Sequence, residues 1–197
     1  MLGKTELLDA VAPSNRGLNS SPSDRSAIGA AAATLEDRNP TPDPLQATAL
    51  LDGDWRLLYT TSQELLNIDR VPLASLGPIY QCIRLAENRI YNIAEVHGPP
   101  LLSGLVSVSA TLDPVSTRRV NVRFERGVVG LRQPLGYQSP AQFIQALETT
   151  PKFSLLQGID FRINSDRSSG WLEVTYLDHD LRIGRGNQGS LFVLQKV

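Results

Sequence analysis

The side chains best suited to chemistry gather toward the C-terminal end of this sequence. Gly184-Arg185-Gly186-Asn187-Gln188-Gly189 spells G-x-G-x-x-G after a strand-like Leu181-Arg182-Ile183. In a dinucleotide site such glycines open a helix whose N-terminus holds the pyrophosphate, with an acid about 20 residues further on. Here Leu191-Phe192-Val193-Leu194 reads as strand where that helix would run, so the segment is predicted to be a glycine-rich hairpin. Asp178-His179-Asp180 could assemble a metal or acid–base group. It falls between Tyr176-Leu177 and Leu181-Arg182, however, where aspartates favour a turn through local hydrogen bonds. It also lacks the glycine and trailing glutamate of a calcium loop. Cys82 sits mid-strand, as an inert packed thiol does, and His97 precedes a turn at Gly98-Pro99-Pro100. No G-x-S-x-G elbow is present. The expectation is no catalytic residue, no metal and no cofactor.

Composition points the same way. The 197 residues carry 19 Lys+Arg against 20 Asp+Glu, a net charge of −1, where a dedicated nucleic-acid binder shows a basic excess. A single cysteine excludes an intrachain disulfide framework and a thiolate zinc site, and two histidines leave few metal schemes. No apolar run approaches the roughly 18 residues of a membrane-spanning helix. The length is enough to bury a real core.

Two helical patterns lead the chain. Leu7, Leu8 and Val11 share one helix face, and Ser21-Pro22-Ser23-Asp24 resembles a capping box opening a second helix that runs to Leu35 and stops before Asn39-Pro40. Residues 1–49, ending in a stiff Pro-rich connector, read as a helical preface to residues 50–197. From Asp54 onward the apolar period becomes two: Val106, Val108, Ala110 and Leu112 alternate with polar residues, as do Val120, Val122 and Phe124. Ile159, Phe161 and Ile163 continue the pattern, as do Leu172, Val174 and Tyr176. Turn clusters separate these runs, among them Arg167-Ser168-Ser169-Gly170, and one helix interrupts them near 139–149. The prediction is a mainly β chain of eight to ten antiparallel strands closed as a barrel, with a sandwich as the alternative. Gly53-Asp54-Trp55 then places Trp55 inward at one barrel end. An inward arginine stacked on that indole would gain cation–π attraction, and Arg185, sharing parity with Leu181 and Ile183, is the candidate. Its flanking glycines leave open that it twists outward.

Two long segments carry a resemblance. Leu51-Asp52-Gly53-Asp54-Trp55-Arg56-Leu57-Leu58-Tyr59-Thr60-Thr61-Ser62 and Thr175-Tyr176-Leu177-Asp178-His179-Asp180-Leu181-Arg182-Ile183-Gly184-Arg185-Gly186 are similar to the plastid lipid-associated protein/fibrillin family. The approach Leu35-Glu36 to Asn39-Pro40-Thr41-Pro42 and the ending Gly189-Ser190-Leu191-Phe192-Val193-Leu194 resemble it too, so nearly the whole chain is covered. The resemblance implies a lipocalin-like β-barrel behind an N-terminal helical extension. It implies association with thylakoid membranes or lipid globules (plastoglobules), and binding or organisation of carotenoids, quinones and other prenyl lipids. It marks the turn of Asp178, Asp180 and Arg182 as family signature, not as a catalytic site. The first ten residues, MLGKTELLDA, fit neither a signal nor a transit peptide. The expectation is a cyanobacterial member at the cytoplasmic face of the thylakoid, or a trimmed plastid protein of the stroma.

The functional expectation is non-catalytic binding of an apolar isoprenoid ligand, with no nucleic-acid partner. By strand parity the lining candidates are Leu57, Tyr59, Val106, Val108, Val122, Phe124, Phe161, Ile163, Val174 and Tyr176. Periodicity alone does not distinguish a cavity wall from a packed core. A filled barrel would instead make the protein a peripheral scaffold that coats lipid surfaces or assists a lipid-biosynthetic enzyme, meeting its partner through the preface or the 139–149 helix. An enzyme on the same barrel would need convergent titratable groups in the lumen, which the parity does not provide.

Overall fold

The computed structural model describes residues 3–63, 75–99, 102–164 and 169–197. Pro100 and the Arg167-Ser168 half of a predicted turn lie outside the described residues. Helix α1 spans Lys4–Val11 and α2 spans Pro22–Glu36. The α2 start is a full capping box: Ser21 Oγ accepts from the Asp24 N–H at 3.2 Å, and the Asp24 carboxylate accepts from the Ser21 N–H at 2.9 Å. Such a cap contributes about 1 kcal/mol. A single turn, α3 (Thr48–Leu51), crosses the expected 49/50 boundary and leads into the first strand.

The strands are β1 (Gly53–Thr60), β2 (Ser75–Arg84), β3 (Arg89–His97), β4 (Gly104–Pro114) and β5 (Arg119–Leu131). After helix α4 (Pro140–Thr149) come β6 (Gly158–Arg162), β7 (Ser169–Leu177), β8 (Leu181–Gly186) and β9 (Leu191–Lys196). All pairings between strands are antiparallel, and β4–β5 together with β5–β7 and β1–β9 close β1-β2-β3-β4-β5-β7-β8-β9 into an eight-stranded barrel. Closure removes the open edges that an eight-stranded sheet would expose. The sandwich alternative is not what forms.

Strand β6 stands outside the ring. The first half of β5 pairs with β7 (Arg119↔Glu173 to Arg123↔Ser169), while its second half pairs with β6 (Arg126↔Arg162 to Gly130↔Gly158). The β4-β5-β6 sheet therefore flares past the ring as a lip above the mouth.

Among the described residues, apolar side chains pack in three clusters. One fills the lower lumen around Trp55, Leu57, Ile83, Leu112 and Val174. A second lies between the outer face of β1, β7, β8 and β9 and helices α1 and α2. A third lies under α4, whose Phe143, Ile144 and Leu147 cover Cys82, Tyr91, Ile93 and Val128. Both outer faces are thus buried by helices, which explains why several strands are apolar on both sides.

Candidate ligand site

The upper lumen is hollow. A cavity of about 710 Å³ opens at the barrel end formed by Thr61, Ser62, Gly170, Trp171, Asn187 and Ser190. Its wall is aliphatic and aromatic, with Ile79, Val106, Val108, Val122, Phe124 and Phe192 facing inward. That volume lies within the roughly 300–1,000 Å³ of small-molecule sites. Among the described lining residues none is titratable, and two polar side chains, Gln81 and Asn92, interrupt the apolar wall below the mouth. No group of three metal-ligating side chains occurs among the described residues.

The floor is built on Trp55, fully buried, with its indole N–H donating to the Leu51 carbonyl at 2.9 Å. The cation over its ring is Arg182, with the guanidinium carbon 5.0 Å from the ring centroid. Lys196 Nζ lies 5.3 Å from the same centroid. Arg185, the partner expected from parity, is elsewhere. It does share a face with Leu181 and Ile183, but that face is the outer one, packed beneath α2. There Arg185 makes a bidentate pair with Glu36, Nε to Oε1 at 2.9 Å and Nη2 to Oε2 at 2.8 Å. Burial alone would raise the Glu36 carboxyl, but the Arg185 and Thr175 hydrogen bonds outweigh it and hold the group below the usual carboxylate range.

Strand parity also misplaces Tyr59 and Tyr176, and the cause is the same in both. The β1–β9 register shifts between Leu57 and Tyr59, and the β7–β8 register shifts between Val174 and Tyr176. Each bulge adds a residue and turns the following side chains to the other face. Leu57 and Val174 stay inside, in the packed lower lumen, whereas both tyrosines go outward against α1 and α2. Val106, Val108, Val122 and Phe124 line the cavity. Phe161 does not: it lies directly opposite Gly127, which pairs with Val108, so it shares the lumen face but on the lip, 45% exposed. Ile163 follows the end of β6 and is half-buried, its N–H bonded to the Glu125 carbonyl at 2.9 Å.

The signature turn is a fastener. The Asp178 carboxylate accepts from Lys4 Nζ at 2.9 Å, the Tyr176 hydroxyl at 2.7 Å, and the Asp180 and Leu181 N–H groups at 3.0 and 2.8 Å. Lys4 also bonds Asp180. Burial would raise the Asp178 carboxyl, yet the bonds from Lys4, Tyr176 and the two N–H groups hold it well below the usual range. Beside it, Asn39 Oδ1 accepts the Leu177 N–H at 3.0 Å and Thr41 Oγ1 donates to the Leu177 carbonyl at 2.7 Å. The motifs that looked chemically active thus tie α1, α2 and the connector to the barrel. Cys82 is fully buried on β2, and burial raises its thiol pKa.

Gln81 and Asn92 were not singled out in the sequence, although a signal was there. Each stands at the apolar-parity position of its strand, between Ile79 and Ile83 and between Ile90 and Ala94. A polar residue in an apolar register marks a lumen contact.

The PAP_fibrillin family model matches residues 1–195. The chain is 33% identical to a probable plastid-lipid-associated protein 2, chloroplastic, of Arabidopsis thaliana, over 98% of the chain and 70% of that relative. It is also 33% identical to a chromoplast-specific carotenoid-associated protein of Cucumis sativus, over 98% of the chain and 67% of the relative. A plastid lipid-associated protein 2 of Brassica campestris is 33% identical over 98% of the chain and 68% of its own length. Matched by the family model over residues 1–195 and 33% identical to such a relative over 98% of its length, the chain belongs to the PAP/fibrillin family of plastid lipid-associated proteins.

Proposed function

We propose that the chain is a non-catalytic lipid-binding protein that takes an apolar isoprenoid, a carotenoid, quinone or similar prenyl lipid, into the upper lumen. The observation that carries this reading is the 710 Å³ cavity with an apolar wall and an open mouth. Burial stabilises such a ligand by about 25 cal/mol per Å² of apolar surface, roughly 0.8 kcal/mol per methylene. The name of the Cucumis sativus relative, a carotenoid-associated protein, supports a pigment or related lipid as the class.

The lip supports delivery from a lipid phase, at a thylakoid membrane or lipid globule. Ile159 and Phe161 stand 63% and 45% exposed on the lumen face of β6, and Leu155 and Leu156, in the turn before it, stand 89% and 92% exposed. Apolar surface of this kind beside a cavity mouth marks a lipid or protein contact. Lys152 and Arg162, both exposed, suit an anionic headgroup layer.

The test is organic extraction of freshly purified protein with mass spectrometry, alongside tryptophan quenching by an added carotenoid. Trp171 lines the mouth and Trp55 the floor, so Trp171→Phe leaves a reporter beneath the cavity. Extracted prenyl lipid and saturable quenching in both proteins are expected. An empty extract together with non-saturable quenching overturns the proposal.

A further inference from the structure

The lumen holds a buried cation with no anion paired to it among the described residues. Arg182 is 1% exposed, forms no ion pair among the described residues, and leaves Nε and Nη1 without a hydrogen-bond partner. Burial pushes its pKa down to about 9, which still keeps it charged at neutral pH. Burying a charge is costly unless it is compensated, and here Trp55 and one amide compensate it. That amide is Gln81, whose Oε1 accepts from Arg182 Nη2 at 2.5 Å.

A guanidinium only donates, and this fixes the direction of everything above it. Gln81 must present its oxygen to Arg182, so its NH₂ points onward, and Nε2 donates to Asn92 Oδ1 at 3.0 Å. Asn92 then has its oxygen occupied and its NH₂ left over. Asn92 lines the cavity, level with Val108 on the next strand, where the wall is otherwise apolar. The relay therefore ends in a donor facing the lumen, polarised by the cation two links below.

We propose that the Arg182–Gln81–Asn92 relay is a hydrogen-bond donor station that selects lipids carrying an acceptor oxygen, a ketone or quinone carbonyl, over unfunctionalised hydrocarbons of the same size. The inference rests on the lumen being the ligand site. It adds a chemical class and an orientation: oxygen-bearing head downward to Asn92, tail toward the mouth and the lip. A hydrocarbon in the same place leaves the Asn92 NH₂ buried without a partner, which disfavours it.

The test pairs two probes of equal tail length, an alkyl-benzoquinone and an alkylbenzene, titrated calorimetrically against wild type, Asn92→Leu and Asn92→Asp. Wild type is expected to prefer the quinone. Asn92→Leu should weaken quinone binding about five- to tenfold, the worth of one hydrogen bond, and leave the alkylbenzene unchanged or tighter. Asn92→Asp, which puts an acceptor where the donor stood, should weaken the quinone at least as much. Infrared difference spectra should show a carbonyl stretch lowered in wild type and relaxed in Asn92→Leu. Circular dichroism melts establish that each variant folds, and if Asn92→Leu does not, the isosteric Asn92→Asp and the wild-type carbonyl shift decide. Equal affinity of wild type for both probes, with an unshifted carbonyl, overturns the station and leaves the lumen reading standing. Failure of wild type to bind either probe overturns the lumen reading itself.

Discussion

Replacing Asp178 by alanine is the sharpest perturbation the structure offers, because it separates a fastener from a functional motif. The carboxylate receives four donors, from Lys4, Tyr176, Asp180 and Leu181, and is 8% exposed. Each bond to a charged group contributes a net of about 1.5–3 kcal/mol, but four bonds to one carboxylate do not add, and Lys4 keeps Asp180. About 3 kcal/mol is the expected net loss, dominated by the hairpin N–H bonds and the α1 anchor. For a chain of this size 1 kcal/mol corresponds to about 2–4 °C, so the melting temperature should fall by roughly 6–12 °C at pH 7. The pH dependence has a definite sign. A carboxyl held below its unfolded value, about 3.9, contributes stability that is fully present above that value and is lost as pH falls through the folded one. The gap between wild type and Asp178→Ala should therefore be full at pH 7 and narrow below about pH 4. Differential scanning calorimetry across pH reads both effects, and lipid uptake at 20 °C below the variant's melting point should be retained. A melting shift under about 2 °C, or an undiminished gap at the lowest pH, refutes the fastener.

Three further outcomes are expected of the cavity, the lip and the packed thiol. Val108→Trp fills the cavity from its wall, and quenching by an added carotenoid should fall at least tenfold while the circular dichroism spectrum is kept; unchanged uptake would place the ligand elsewhere. Leu155→Glu combined with Leu156→Glu should reduce co-sedimentation with anionic vesicles several-fold and spare uptake from detergent solution, and equal sedimentation rules out the lip as the contact. Burial disfavours the Cys82 thiolate, so native protein should react with a thiol reagent only at its rate of opening, and rapid labelling at pH 8 would contradict the packing under α4.

Local periodicity made much of the fold legible. The helix over Lys4–Val11, the capping box at Ser21-Asp24, the Ser139-capped helix α4 and the glycine-rich hairpin before Leu191 all follow from short-range rules. What short-range rules could not show were the two bulges. Leu57-Leu58-Tyr59 and Val174-Thr175-Tyr176 read as uninterrupted alternation, and the extra residue is visible only against the partner strand. The parity that put Arg185 forward for the Trp55 stack misled for a related reason. Both faces of β8 are buried, one by the lumen and one by α2, so burial did not say which face was inside. Glu36, the anion that settles Arg185, lies far away in sequence. The hollowness of the lumen is likewise a property of assembled volumes, with Gly184 and Gly186 on the inner face of β8 supplying no side chain to fill it.

The pairing of the first strand with the last has a kinetic consequence. Trp55 finds Lys196 and Leu57 finds Leu194 only once β9 exists, so the ring stays open until β9 has been made. Until then the β1 edge is unpaired and the lumen wall is wet, the state in which β-rich chains fold slowly and aggregate. Helices α1 and α2 rest partly on Leu191 and Val193 of β9, so their seat is incomplete before that moment too. Closure of the ring therefore waits on β9, and a variant lacking β9 should be recovered as aggregate rather than as a smaller barrel.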